Sequence, residues 1–142
     1  MIENNKKSYH LTESKTFCMS PWIHVYSSPS GVAAPCCIAE SCAHEGVGNT
    51  RTQSLMEVVN SPKMNQLRND MLSGIKNKEC TKCYQHEDQK VLSSRNMLNT
   101  RFGPNYYNEI IENTNTDGSL SEFKMRYFDI RFSNICNFKC RT

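Results

Sequence analysis

The chain has 142 residues, the size of one ordinary domain, with 17 basic and 14 acidic side chains and a formal charge of +3. That charge is too small to indicate nucleic acid or an acidic membrane surface as a partner. No apolar run approaches the roughly 18 residues that a spanning helix needs, and the polar N-terminus lacks a signal-peptide core. We therefore expect a cytoplasmic protein.

The N-terminal part predicts a lead-in and a β-hairpin. Residues 1–16 are polar and are expected to be flexible. Residues 22–26 and 32–38 are rich in aromatic and β-branched side chains, which favour strands, and "SSPSG" between them supplies turn residues. The polar stretch that follows, through residue 53, is expected to be a loop.

The period of the apolar residues changes at Ser54. A short helix is predicted over residues 55–59, and a second helix should begin at Ser61 as N-cap with Pro62 in the first helical position. Gly74 is the expected C-cap. Apolar residues of the second helix recur at spacings of three and four and should face a core: Met64, Leu67, Met71 and Leu72.

The C-terminal half predicts one polar helix and one strand. The helix should run over residues 84–101 and end at Gly103-Pro104, with one or two further helical turns over 106–113. Residues 114–123 read as a loop. Residues 124–132, "KMRYFDIRF", mix aromatic, β-branched and charged side chains and predict a strand.

Eight cysteines are unusual in such a chain: Cys18, Cys36, Cys37, Cys42, Cys80, Cys83, Cys136 and Cys140. Without an export signal the compartment is expected to be reducing, which disfavours a disulfide framework. Grouped cysteines in that setting more often bind metal.

Cys80 and Cys83 form a Cys-x-x-Cys pair, whose two sulfurs can reach one metal. Zinc sites, iron–sulfur sites and redox dithiols all use this spacing. A thioredoxin-like dithiol would follow a strand, whereas a helix is predicted before this pair. Cys18 and Cys36 flank the predicted hairpin, with Gly31 at its turn, so their sulfurs can meet. Four thiolates suit either a tetrahedral zinc or a [4Fe–4S] cluster, and the spacing alone does not decide between them.

The order Cys18, twelve residues, Gly31, four residues, Cys36 resembles the opening motif of the SPASM and twitch domains of radical S-adenosylmethionine (SAM) enzymes. The later Cys80-x-x-Cys83 resembles the closing pair of a twitch domain. The resemblance implies one auxiliary [4Fe–4S] cluster on these four cysteines, for electron transfer or structural support. Residues 84–135 contain no cysteine, so the second auxiliary cluster of the larger SPASM form is not expected.

The tail Cys136-x-x-x-Cys140-x-x resembles the start of the Cx3Cx2C motif of radical SAM enzymes, whose third cysteine would be residue 143. In that family three cysteines after the first barrel strand hold a second [4Fe–4S] cluster, which binds SAM. The chain is thus expected to be the front of a longer enzyme. The resemblance implies reductive cleavage of SAM to a 5′-deoxyadenosyl radical, a reductant such as flavodoxin or ferredoxin, and a small-molecule or peptide substrate. The fragment by itself is expected to be inactive.

The expected fold is α+β, with a small hairpin and helices around the cluster, followed by the first strand of a (β/α) barrel. The domains implied are a lead-in over 1–16, an auxiliary-cluster domain over 17–103, a linker over 104–123 and the start of the radical SAM core over 124–142. The alternative is a zinc-binding four-cysteine module that recruits a partner, without catalysis.

The remaining candidates carry weaker signals. Cys37 neighbours Cys36 on a predicted strand, so it should point to the opposite face and pack as a small apolar side chain. Cys42 and His44 could form part of a second metal site, although a thiol in a loop is the simpler interpretation. Side chains expected to have structural or ordinary polar roles are Trp22, Tyr26, His10, His24, His86, Lys124, Arg126 and Arg131.

Overall fold

The computed structural model describes residues 10–129. This part of the chain combines a small three-stranded antiparallel sheet with helices, which confirms the α+β class. Among the described residues, no helix is both long and apolar enough to cross a bilayer. The domain boundaries expected at residues 17, 104 and 124 remain predictions.

The predicted hairpin is present but short. Strands β1 (Tyr26–Ser27) and β2 (Val32–Ala34) pair antiparallel, with Tyr26 opposite Ala34. Strand β3 (Gly48–Asn49), in a stretch predicted to be a loop, pairs with the other edge of β2. The order in the sheet is therefore β1-β2-β3.

The prediction of a strand at residues 22–26 is wrong for its first half, where the structure has helix α1 (Ser20–Ile23). Pro21 lies in the first turn of α1, where its fixed φ suits a helix and its missing N–H costs nothing. Trp22 and Ile23 are almost fully buried, so packing in the core holds this single turn against the strand propensity of its aromatic and β-branched residues.

Helices α2 (Leu55–Val59) and α3 (Pro62–Leu72) begin where the sequence predicted. The Ser54 side chain accepts a hydrogen bond from the Glu57 backbone N–H, and the Glu57 carboxylate accepts one from the Ser54 N–H, which is a capping box. Ser61 caps α3, and Gly74 directly follows its C-cap residue with a φ of +74°, as a helix-ending glycine does.

The single helix predicted over 84–101 is wrong in its bounds. The structure has helix α4 (Thr81–Asp88), a turn, and helix α5 (Ser94–Glu112). Lys90 in the turn has a left-handed φ of 59°, and the Ser93 side chain caps the second helix by accepting from the Asn96 N–H.

Helix α5 continues through Gly103-Pro104, where the sequence predicted its end. A proline inside a helix costs about 3 kcal/mol. The turns beyond it bury Tyr107 and Ile110 in the core, and this burial offsets the loss. The Leu11 side chain packs directly over Gly103 of this helix. A Cβ at position 103 would come within 2.6 Å of Leu11 Cδ2.

The segment after α5 forms a turn closed by a bridge between Thr114 and Leu120. In the described part of the predicted strand, residues 124–129, no strand ladder forms. The Arg126 and Tyr127 N–H groups instead donate to the Ile23 carbonyl, at 2.8 and 3.3 Å. Residues 130–132 of that strand, together with Cys136 and Cys140, lie outside the described residues.

The core lies between α1, α3 and α5. Arg68 is buried within it, and the guanidinium donates to the Pro21, Val59 and Gly118 carbonyls at 2.8–3.0 Å. The methionine and leucine stripe predicted on α3 does face this core, with Leu72 half-buried at its edge. The largest buried apolar side chains are Phe17, Met19, Trp22, Ile23, Met64, Leu67 and Met71.

Candidate metal centre

Four cysteines from three separate segments line one enclosed cavity of about 30 Å³: Cys18, Cys36, Cys80 and Cys83. Apolar side chains complete much of the wall, among them Ile38, Leu67 and Leu98. Two larger clefts, of about 410 and 470 Å³, lie elsewhere on the described part of the chain and have no cysteine in their walls. The thiols that the sequence singled out are therefore the ones that the fold brings together.

Cys18 is held by the first turns of α5. Asn99 accepts a hydrogen bond from the Met19 N–H at 2.9 Å and donates to the Phe17 carbonyl at 2.9 Å. Arg95 also donates to the Phe17 carbonyl, at 3.0 Å. Cys18 lies between Phe17 and Met19, whose backbone groups these bonds hold, and it is 7% exposed. Its position therefore depends on side chains some 80 residues away in the sequence.

Ser20 joins the segment of Cys18 to the segment of Cys36. The Ser20 backbone N–H points at Cys18 Sγ, 3.4 Å away, and the Ser20 hydroxyl donates to the Pro35 carbonyl at 2.7 Å. Cys36 follows Pro35 directly, just beyond the end of β2. One serine thus fixes the approach of the two thiols that flank the hairpin.

Cys80 and Cys83 lie at the start of α4. Cys80 is the N-cap residue of that helix, and Cys83 lies in its first turn. Unpaired backbone N–H groups and the positive end of the helix dipole favour anionic groups at this position. The preceding turn is anchored by Glu79, which accepts from the Ser41 N–H at 3.0 Å.

The Cys18 sulfur receives a hydrogen bond from the Ser20 N–H, at 3.4 Å. The Ile38 backbone and the Tyr84 hydroxyl act to lower the pKa of Cys36 and Cys80, against the larger effect of burial. Donors aimed at sulfur suit a thiolate, which is an acceptor, and hydrogen bonds to the sulfurs are among the features that set the potential of iron–sulfur sites.

Burial disfavours the ionised form of these thiols as long as no positive ion is present. Desolvation raises the pKa of Cys18 well above its ordinary value and raises the pKa of Cys36 and Cys80 to about 12. The nearby thiols raise these pKa values further because several negative charges would share one cavity. Such a site holds its charge only when a cation or cluster compensates it, which is the chemistry of a metal centre.

One ion pair borders the cavity. Arg95, 4% exposed, lines it, and its Nη2 lies 2.5 Å from Glu87 Oε2. Partial burial raises the pKa of Glu87, but the hydrogen bonds from Arg95 and Ser93 together lower it by more, so the net shift is downward. A guanidinium beside the thiols favours an anionic occupant, and Glu87 keeps that guanidinium paired.

A single metal ion and a cluster place different demands on the spacing of four thiols. A tetrahedral zinc with Zn–S bonds of about 2.3 Å needs its sulfurs within about 3.8 Å of one another. Between residues 10 and 129, no three Cys, His, Asp or Glu side chains are arranged to hold one metal ion. In a [4Fe–4S] cluster each cysteine binds a different iron, so the ligands stand further apart.

The other candidate residues do not line the cavity. Cys37 and Cys42 pack in a small second cluster with Tyr26 and Ala34, and His44 is exposed. The six described cysteines form no disulfide with one another. Trp22 packs against Phe17 and donates from Nε1 to Thr114 Oγ1 at 2.9 Å, which is a structural role as expected.

The sequence does not predict several residues that border or support the site, among them Glu79, Tyr84 and Arg95. The last two fall in a stretch predicted only as a polar helix. One signal was available for Tyr84, since it lies four residues after Cys80, on the same face of a helix. Arg95 gives no such signal, because its bonds to the segment of Cys18 run to the Ser14 and Phe17 carbonyls, far away in the chain.

Residues 18–84 match the model of the SPASM family, described as an iron–sulfur cluster-binding domain. The matched segment begins at Cys18 and ends at Tyr84, one residue past Cys83, and spans slightly less than half of the chain. No curated protein and no solved structure gives a significant match. The match confirms, for this segment, the resemblance drawn from the cysteine and glycine spacing.

Proposed function

We propose, on the premise that residues 18–84 are a SPASM-type iron–sulfur domain, that this domain holds one [4Fe–4S] cluster on Cys18, Cys36, Cys80 and Cys83. The observation that carries the proposal is the convergence of these four thiols on one apolar cavity. The Ser20 N–H aimed at Cys18 Sγ and the match to an iron–sulfur cluster-binding family support it.

The domain is proposed to be auxiliary to a radical SAM centre that begins in the same chain. Cys136 and Cys140 would supply two of the three ligands of the SAM-binding cluster. When bound, that cluster would supply the one electron needed for reductive cleavage of the C5′–S bond of SAM. The tail sequence and the typical association of SPASM domains with radical SAM enzymes support this part.

The role proposed for the described residues is to bind and shield the auxiliary cluster. With four cysteines engaged, no iron of that cluster stays open for substrate, so electron transfer or structural support is its expected role. The reductant would be a flavodoxin or ferredoxin, and the substrate a small molecule or a peptide.

The proposal is tested on protein purified without oxygen, with Cys136 and Cys140 replaced by serine so that only the four-thiol site can bind. About four irons and four sulfides per chain are expected, with an absorption band near 400 nm. A colourless protein with one zinc per chain would overturn the proposal and leave the partner-recruiting zinc module.

Single replacements identify the ligands. Alanine in place of any one of Cys18, Cys36, Cys80 or Cys83 is expected to remove most of the iron and the absorption band. Cys42→Ala is the matched control, because Cys42 is half-buried outside the cavity, and it should keep both. Equal iron in all five variants would show that the cluster is not bound at this site.

A further inference from the structure

A buried guanidinium lies at the wall of the four-thiol cavity. Arg95 lines that cavity, and its side chain is 5% exposed. Its Nη1 donates at 3.0 Å to the Phe17 carbonyl, which belongs to the peptide bond between Phe17 and Cys18. The positive charge is therefore held next to the segment of a proposed ligand. Besides the thiols, the one other ionisable side chain in the described lining is Glu79, whose Oε2 accepts from the Ser41 N–H at 3.0 Å.

Glu87 pairs with Arg95 without lining the cavity itself. The Arg95 Nε donates to Glu87 Oε1 at 2.8 Å, and Nη2 donates to Oε2 at 2.5 Å, which is the two-pronged geometry of a strong guanidinium–carboxylate pair. The Ser93 hydroxyl lies 2.5 Å from Glu87 Oε1 and helps to fix the carboxylate. The Glu87 side chain is 20% exposed, so water and salt screen this pair less than a pair at the open surface.

Charges at this wall matter because the proposed cluster is an anion. Four thiolates outweigh the positive charge of the iron–sulfide core, and reduction adds one more negative charge. Charges in a buried site interact more strongly than they do in water. A positive charge beside the cluster therefore stabilises its reduced form, and a negative charge nearby destabilises that form.

We propose that Arg95 and Glu87 together set the midpoint potential of the auxiliary cluster. Arg95 holds a positive charge at the cavity wall, and Glu87 is a positioning residue that orients the guanidinium and partly neutralises this charge. The inference rests on the proposed function, since it presumes a cluster on the four thiols. The cluster gains one electron from the external reductant, which loses one, and no bond or proton changes at the ion pair.

Glu87→Gln removes the negative charge and keeps the length of the side chain, whose amide oxygen can still accept from Arg95. In the background that lacks Cys136 and Cys140, the variant should bind as much iron and sulfide as the parent. At a fixed ambient potential, its ratio of reduced to oxidised cluster should rise about three- to tenfold, because the guanidinium is no longer neutralised. A tenfold change in a one-electron couple corresponds to about 59 mV. Electron paramagnetic resonance of the reduced cluster, during a dithionite titration, measures the ratio.

Glu109→Gln is the matched control, because it makes the same change of charge outside the cavity. Glu109 is exposed on α5 and pairs with Lys124 and Arg126, at 3.2 and 3.1 Å. Solvent screens such an exposed charge, so the ratio should equal that of the parent. Equal ratios in the Glu87 and Glu109 variants, at equal cluster content, overturn the inference and leave the proposed function intact.

A second pair of variants separates charge from structure at position 95. Arg95→Lys and Arg95→Gln both lose the two-pronged contact with Glu87, so they share its structural cost. Lysine keeps the positive charge, and its ratio of reduced to oxidised cluster should be about three- to tenfold higher than that of the glutamine variant. Equal ratios at equal iron content would contradict the inference, even where Glu87→Gln does not retain its cluster. A parent protein without iron would instead overturn the proposed function, and with it this inference.

Discussion

Arg68 shows what single residues contribute to this fold. Its side chain is fully buried, and burial lowers its pKa to about 10. Within the described part of the chain it donates to carbonyl oxygens and to the Asn65 side chain, and to no carboxylate. Pro21 lies in α1, Val59 ends α2, and Gly118 belongs to the turn after α5. One guanidinium therefore joins three separate parts of the chain.

Arg68→Met is expected to lower the free energy of unfolding by about 3 kcal/mol or more, because three buried carbonyls lose their donor at once. Arg101→Met is the control, since Arg101 is exposed at the surface of α5, and it should change stability by less than about 0.5 kcal/mol. Urea unfolding of both variants measures the difference. Similar losses in the two would show that the Arg68 network does not support the fold.

At the scale of elements, two glycines with left-handed φ angles occupy different surroundings. Gly31, the glycine of the cysteine motif, has a φ of +91°, and a Cβ there would meet Asn49 Oδ1 at 2.5 Å and Arg51 Cγ at 2.8 Å. Gly74 has a φ of +74° and open space around it. The first therefore combines a backbone requirement with close packing, and the second has the backbone requirement alone.

Gly74→Ala should cost about 1–2 kcal/mol, the ordinary penalty of a left-handed alanine. Gly31→Ala should cost more, about 3 kcal/mol, because the β2–β3 edge must also move away from the new methyl group. Thermal unfolding of the two variants checks this order. An alanine at 31 that costs no more than one at 74 would contradict the packing argument.

Elements with a local signal were predictable from the sequence, and elements set by distant contacts were not. Ser61, Pro62 and Gly74 act through neighbouring backbone groups, so the bounds of α3 could be predicted. Residues 20–23 form a helix because Trp22 and Ile23 pack into the core, and no local pattern indicates that. Pro104 lies within α5 for the same reason.

The candidate site shows the same division. Spacing alone selected the four thiols that the fold brings to one cavity, because a hairpin and a Cys-x-x-Cys turn are local devices. Arg95 and Glu79 could not be predicted, because each contacts a segment that is remote in the sequence. The tail cysteines, Cys136 and Cys140, lie outside the described residues, so their role remains a prediction.

At the scale of the molecule, stability should depend on pH through His24. This side chain is 1% exposed, and its Nδ1–H donates to the Tyr127 carbonyl at 2.9 Å. Within residues 10–129, its buried Nε2 has no hydrogen-bond partner. Burial lowers the pKa of His24, although the Tyr127 bond and the charge of Asp129 act in the opposite direction.

A base whose pKa is lower in the folded state binds protons more tightly when unfolded. The contribution of His24 is therefore fully present above its unfolded pKa of about 6.5 and is lost as the pH falls below that value. We expect apoprotein unfolding in urea to become easier between pH 7.5 and 5.5. His24→Gln should show a flatter profile, whereas the exposed His86→Gln should keep the parent profile. Parallel profiles in all three proteins would assign the pH dependence to other groups.

Native mass spectrometry under anaerobic conditions shows whether the four thiols bind one four-iron cluster. In the chain with Cys136 and Cys140 replaced by serine, we predict one dominant species carrying four irons and four sulfides. Cys80→Ala in the same background should lose that species. A dominant mass for one zinc ion, or a cluster that persists without Cys80, would contradict the account.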